Sequence, residues 1–535
     1  MIARWVGPTL LGAGLLLLVA YPLAMVLASV AFPEVFGARP AAWGELLGGR
    51  VAVAWRNTLV LGTLVTALAI AFAVPAALLA WRSRAARLID LVMSVPFLTP
   101  PFLVGLAWTQ TVGRRGFASR LGFDGVALGD ALFSLGGMAV LMAVNYAPLV
   151  YFALRAQFAR LPPSLVWAGR VAGAGRTAVL RTVVLPLSVP PLLAGGFLAF
   201  ASAIGEYGTP LVIGQRIGYP VVATEIARLV SVAPIHLSLA SALGATLMLA
   251  GVGAYLASRL LQRGQLDSPA RAHYPLPPLL SAPARALAWA SVGTFAVVGV
   301  VVPFAAIGTS SLMRLISPGP RWDNLSWVHY QELLTVGSRG FGALASSFTL
   351  ALIAAAAALI LGVLAARAGR WVALLATLPI AVPAVVMAVG FLRGWNAPWA
   401  AAAPVYGTGA ILALYYLAQY LPFPVQYVQA GARSLPASLE PAARVHGAGP
   451  AVAFWRVAVP LLWPHALGGA ILVFSIAFRE LVGSVLLRPP AVQTTATYIL
   501  QQFDQGSTSA GMAMAMVAVL SALLSVVTAR RFAAR

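Results

Sequence analysis

Long apolar runs separated by short polar segments dominate the chain. Leu10 to Val30, Leu59 to Ala80 and Leu352 to Ala366 each carry almost no charge. A helix needs roughly 20 such residues to cross about 30 Å of hydrocarbon, so the runs read as transmembrane helices. A transmembrane barrel would show short alternating segments instead. The pattern predicts spans near 8–31, 57–81, 89–111, 133–155, 189–214 and 237–261, then 286–310, 345–367, 371–393, 407–430, 466–487 and 509–529. The expected fold is an all-α polytopic membrane protein of about 12 helices in two pseudo-symmetric six-helix halves. Residues 1–261 form the first half and 285–535 the second. The Pro-rich stretch 262–284, with Asp267-Ser268-Pro269 and Pro275-Leu276-Pro277-Pro278, joins them as a cytoplasmic linker. Met1 to Val30 is longer than a signal-peptide core and lacks a small-residue cleavage site before Phe32-Pro33, so it reads as a retained first helix.

Composition agrees: 61% of the 535 residues are hydrophobic and 9% are charged. With the N-terminus inside, the cytoplasmic segments hold 21 Arg against Asp90, Asp267 and Glu440, and the rest hold 14 Arg against ten acids. The nets, 21 − 3 = +18 and 14 − 10 = +4, sum to the +22 of the chain. The bias follows the positive-inside rule and puts both termini in the cytoplasm of a bacterial inner membrane. The basic balance reports topology and contact with anionic lipid, and no nucleic-acid partner is expected.

Several chemistries are excluded by count. There is no Cys, which removes disulfides, thiolate metal sites and cysteine nucleophiles. There is also no Lys, so the phosphate loop of an ATPase, which ends in Gly-Lys-Ser/Thr, cannot form here. The five His never pair across apolar spans. No metal, cofactor or catalytic group is expected in this chain.

The informative signal is an internal repeat. Leu161-Pro162-Pro163-Ser164-Leu165-Val166-Trp167-Ala168-Gly169-Arg170-Val171-Ala172-Gly173-Ala174-Gly175 matches Leu435-Pro436-Ala437-Ser438-Leu439-Glu440-Pro441-Ala442-Ala443-Arg444-Val445-His446-Gly447-Ala448-Gly449 at an offset of 274. The register continues through Pro186 and Pro460, Pro190 and Pro464, Gly195 and Gly469, Phe200 and Phe474, and Glu206 and Glu480. Both copies fall in a cytoplasmic loop between the fourth and fifth spans. Each reads as a short helix, a Gly-x-Gly break and a second short helix, a compact knob on the cytoplasmic side. Taken alone, one such loop favours an amphipathic helix lying on anionic lipid, and its duplication at fixed register reverses that.

The repeated loop resembles that of the ABC importer permeases, whose pattern is Glu-Ala-Ala, three residues, Gly, nine residues, Ile-x-Leu-Pro. Gly173 with Val183-Val184-Leu185-Pro186 and Gly447 with Val457-Ala458-Val459-Pro460 keep that spacing. Trp167 and Pro441 replace the Glu, while Glu440 stands one place earlier in the second copy. The resemblance covers essentially the whole chain. It implies that the knobs are coupling helices seated in a separate, homodimeric ATP-binding-cassette ATPase that binds the ATP. A periplasmic or lipid-tethered binding protein would deliver solute. Under it Trp167, Ala168, Arg170, Gly173, Glu440, Pro441, Ala442, Arg444 and Gly447 are the contact residues.

Glu206 and Glu480 lie at equivalent places in the fifth spans. Ionisable groups there are costly to expose to lipid, so Glu206, Tyr207, Arg479 and Glu480 are the candidate solute pathway. Pairing of Glu480 with Arg479 or Arg393 is the structural alternative. Pro96, Pro100 and Pro101 break the third span and Pro379 and Pro383 its counterpart, freeing backbone groups beside a path. Gly205-Glu206-Tyr207-Gly208-Thr209-Pro210 and Phe478-Arg479-Glu480-Leu481 look most like the ferric-iron importers, with polyamine, thiamine, sulfate and phosphonate importers close by. An ion-driven secondary transporter is the rival class, since it also uses duplicated halves and broken helices.

Overall fold

The computed structural model describes residues 3–36, 48–81, 83–262, 279–402, 404–436 and 438–533. Most of the expected linker, 263–278, lies outside them. Among the described residues the chain is helical, and its only bridge of extended backbone joins Met313 to Leu325. Nine helices among the described residues are long and apolar enough to cross a membrane, or up to eleven if each of two sharply bent pairs is one span.

The bent pairs are the third spans of the two halves. Ala86–Phe97 meets Pro101–Thr111 at 91°, and Arg370–Ala381 meets Ala384–Trp395 at 111°. Pro100 and Pro383 stand at the turns with extended backbone (ψ 133° and 139°), because proline has no N–H to continue the helix behind it. The expected span 407–430 is likewise two helices, Ala410–Tyr420 and Pro422–Ser434, separated at Leu421 where Pro422 and Pro424 remove two backbone donors.

Two compact units emerge, and they do not follow the chain's halves. One comprises Leu47–Glu225 and Leu249–Ile307, the other Met1–Leu46, Ile226–Met248 and Gly308–Arg535. The first helix of each sequence half thus packs in the unit built mainly from the other half. In the second unit Tyr21–Ala31 lies on Ala384–Trp395. There Tyr21 Oη donates to the Gly394 carbonyl at 2.7 Å, and Trp399 Nε1 donates to Tyr21 Oη at 2.9 Å. In the first unit Ala282–Ala296 lies on Gly49–Ala80, with Phe295 edge-on to Phe72.

Both units share one packing scheme. Gly49–Ala80, Leu135–Arg160 and Leu185–Ile204 form a mutually packed set in the first, as do Arg339–Arg367, Pro422–Ser434 and Val459–Ala477 in the second. In lipid the hydrophobic effect does not draw helices together, so close approach at small residues carries the association. Gly195 and Gly469 are those residues. A Cβ would stand 2.8 Å from Val150 Cα at the first and 2.5 Å from Pro424 Cα at the second. Val150 and Pro424 are themselves 274 apart, so the repeat extends to three-dimensional contacts. Each fifth helix also runs through a π turn, Leu180–Val184 and Phe454–Ala458, just before Pro186 and Pro460. The wider turn accommodates the missing proline donors.

Candidate functional site

The two knobs have the same backbone. In the first, helix Pro163–Val171 ends at Gly173 (φ +84°), with Ala174 N–H bonded to the Gly169 carbonyl (3.0 Å) and Gly173 N–H to the Arg170 carbonyl (3.1 Å). In the second, helix Leu439–Val445 ends at Gly447 (φ +85°), with Ala448 N–H on Ala443 and Gly447 N–H on Arg444, both at 3.0 Å. This double closure is the Schellman termination, and the left-handed residue in it favours glycine. A Cβ at either glycine would meet nothing within 4 Å, so backbone conformation alone selects the residue type.

Trp167, Ala168, Arg170, Gly173, Pro441, Ala442, Arg444 and Gly447 are all exposed, and Glu440 is half-buried. Arg170 Nη1 donates to the Ala174 carbonyl at 3.0 Å, so this charge closes its own helix. The most exposed apolar residues of the knobs are Val171 (86%) and Val445 (85%), an equivalent pair absent from the expected contact set. Their identity across the 274-residue offset was the available signal. The knobs differ in anchorage. Pro163 and Val166 bury themselves beneath the first, whereas no residue of Leu439–Val445 is buried. Instead Arg367, ending helix Arg339–Arg367, donates to the Glu440 carboxylate. In the first unit a comparable tie joins the span ends directly. Arg155 grips Asp90 through Nε (3.0 Å) and Nη2 (2.9 Å), with Tyr151 donating to the same carboxylate.

Glu206 and Glu480 do not lie within a continuous fifth span. Each follows the end of the long helix, Leu185–Ile204 or Val459–Ala477, and precedes a further helical segment. Both carboxylates turn onto that segment. Glu206 Oε1 accepts from Gly208 N (2.8 Å) and Thr209 N (3.2 Å), and Tyr146 donates to Oε2. Glu480 Oε1 accepts from Gly483 N at 2.9 Å and from Tyr415 Oη at 3.4 Å. Its Oε2 accepts from Ser484 N at 3.0 Å and Ser484 Oγ at 3.3 Å. The carboxylates cap the helical turns ahead of them, the arrangement that fills orphan N–H groups and places negative charge at the positive end of the backbone dipole.

Tyr207 is buried beside Glu206. Arg479 has no counterpart, since Gly205 occupies its place, and it is 8% exposed. Its Nε donates to the Ser475 carbonyl at 3.1 Å, and Nη1 has no hydrogen-bond partner. Arg393 is buried on Ala384–Trp395, with Nε 3.4 Å from Ser241 Oγ. Sequence reading singled out the acids. It missed the tyrosines that bond them, Tyr146 and Tyr415, and the orphaned hydroxyl of Ser475.

Duplicated helix sets, bent third spans and matching knobs define a polytopic membrane protein made of one domain used twice. The family model described as "Binding-protein-dependent transport system inner membrane component" matches residues 69–266 and 347–535, and the chain belongs to that family with two fused copies of its domain. The Ferric transport system permease protein FbpB of Actinobacillus pleuropneumoniae is 23% identical over 452 residues, 80% of this chain and 63% of that protein. The Molybdenum transport system permease protein ModB of Escherichia coli (strain K12) is 35% identical over 130 residues, 24% of this chain and 56% of that protein. A probable molybdenum ABC transporter permease protein of Haloferax volcanii is 34% identical over 216 residues, 39% of this chain and 74% of its own length. The chain thus spans less than two thirds of the first two relatives' lengths.

Proposed function

We propose that this chain is the membrane-spanning permease of an ATP-driven importer, with both termini cytoplasmic and no ATP hydrolysis of its own. The observation that carries the reading is the pair of knobs with the same Schellman closure 274 residues apart. A two-fold ATPase presents two identical grooves, and two matching surfaces on one chain are what such a partner needs. Trp167, Ala168, Val171 and Gly173 would meet one ATPase subunit, and Pro441, Ala442, Val445 and Gly447 the other. Arg170, Arg444 and Glu440 flank the contact. A solute-binding protein would supply the opposite face.

Ferric iron is the solute favoured by the extent of likeness to a permease named for ferric transport. A second reading, an oxyanion, is favoured by the buried guanidinium of Arg479 and by the engagement of both carboxylates in capping. The deciding experiment for the class is uptake into proteoliposomes that hold the chain with its natural partners. ATP enclosed on the knob side should drive uptake that collapsing every ion gradient leaves intact. Uptake that ignores ATP and follows an ion gradient would make the chain a secondary transporter.

A further inference from the structure

We infer that Arg479 binds an oxyanion group of the solute in transit, so that the solute is itself an oxyanion or a metal ion carried with one. The inference rests on the importer reading and names the solute class for its path.

Arg479 sits in the break after helix Val459–Ala477, where its backbone no longer belongs to the long helix. One of its donors is used, Nε on the Ser475 carbonyl. Nη1 is buried and makes no hydrogen bond, and among the described residues no carboxylate pairs with the guanidinium. A buried charge with idle donors is strongly disfavoured unless something fills them during the working cycle. Inside a membrane domain such a group marks a solute or ion path.

The adjoining acid does not fill this role. Glu480 follows Arg479 directly, yet its carboxylate is committed to Gly483, Ser484 and Tyr415. Glu206 is committed in the same way. Neither carboxylate is open to a passing cation without surrendering a helix cap, so the charge available to a solute here is positive.

A second donor stands one turn away. Ser475 is fully buried and its Oγ has no partner. The 3.1 Å bond from Arg479 Nε to the Ser475 carbonyl folds the guanidinium back onto the residue that carries this hydroxyl. A planar guanidinium with a neighbouring hydroxyl matches the several acceptors of an oxyanion. The first copy carries neither group, because Ala201 and Gly205 occupy the equivalent positions. The pair is therefore a feature of one copy, unlike the capping carboxylates, which both copies keep.

The test uses the full chain reconstituted with the ATPase and binding protein that purify with it. Uptake is measured for labelled molybdate, for sulfate, for putrescine, for thiamine, and for ferric iron loaded on the binding protein with and without phosphate. Arg479→Gln should cut uptake at least tenfold while ATPase assembly and thermal melting stay as in the wild type. Arg479→Lys should recover part of the loss, and Ser475→Ala should lower uptake severalfold. Uptake of molybdate or sulfate alone identifies an oxyanion solute, and iron uptake that requires phosphate identifies an anion carried with the metal. Wild-type uptake by Arg479→Gln overturns the inference. So does a wild-type complex that carries iron equally with and without phosphate and carries neither oxyanion, or one that carries putrescine or thiamine. If Arg479→Gln does not assemble, Ser475→Ala and the phosphate dependence of the wild type decide. A chain that binds no ATPase strikes the importer reading instead. Stabilisation of the solubilised chain by molybdate or phosphate, present in the wild type and absent in Arg479→Gln, then still decides the role of the arginine.

Discussion

The knobs and the helix breaks are both products of one duplication, and they have diverged to different degrees. At the knobs the two copies agree to within a degree in the φ of the closing glycine and share the same pair of terminal hydrogen bonds. At the breaks the capping carboxylate is kept, but one copy has Ala201 and Gly205 at the sequence positions where the other has Ser475 and Arg479. Under the importer reading two identical partner subunits would hold the backbone closure of both knobs to one form, while side chains such as Trp167 and Pro441 remain free to differ. A path traversed by one small solute has no such constraint, so one copy alone can hold a recognition group.

The largest expected effect lies at the knobs. Gly173→Val with Gly447→Val forces branched side chains into left-handed backbone, at about 1–2 kcal/mol for each site. Both Schellman closures should distort, and ATP-driven uptake should fall more than tenfold while the chain still inserts and melts as a folded protein. Unchanged uptake by this double variant would remove the knobs from the coupling account. Either single change should impair uptake as well, because both grooves must be filled.

Next come the caps, where the two copies should behave alike. Glu206→Ala and Glu480→Ala each strip a helix start of its acceptor, and although Tyr146 then loses its partner while Tyr415 keeps the Ala384 carbonyl at 3.2 Å, each should cost about 1–2 kcal/mol, read as lowered melting of the solubilised chain. Glu206→Gln and Glu480→Gln keep an acceptor oxygen, and should lose less stability and retain most uptake. Abolished uptake in both Gln variants, with melting unchanged, would show that the charges serve the solute and would restore the cation path expected from sequence.

The smallest effect should be at Glu440. Its pair with Arg367 is partly exposed, with side chains 42% and 32% accessible, so Glu440→Ala should cost no more than about 1 kcal/mol. Because the second knob lacks the buried anchor that Val166 provides in the first, the loss should appear as faster local hydrogen exchange across Leu439–Val445. Equal protection of both knobs in the variant would mean that the ion pair does not hold the second one.

Much of this was legible in the chain itself, and for definite reasons. Apolar runs give spans directly, and the register of Gly195 with Gly469 was visible in the chain, although their contacts on Val150 and Pro424 emerge only from the packing. The proline clusters marked the bends. Pro422 and Pro424 did not mark the division of the expected span 407–430, since prolines in an apolar run either kink a helix or divide it. Partners of helices are not written in local periodicity, which is why the exchange of the first helices between units was invisible. The caps were hidden for a related reason. Glu206 and Glu480 sit in runs apolar enough to pass for continuous spans, and their role depends on backbone that leaves the helix at Gly205 and Phe478. The Gly208-Thr209 and Gly483-Ser484 pairs just ahead of them were the only hint of a new helix start.

The central claim, that one chain offers two equivalent docking knobs to an ATPase, is tested most directly by the mass of the intact complex released from detergent. The account predicts two ATPase subunits on each wild-type chain and none on the Gly173→Val, Gly447→Val double variant, with the variant itself still folded. A wild-type chain that carries no ATPase, or a double variant that keeps both subunits and full ATP-driven uptake, would contradict it.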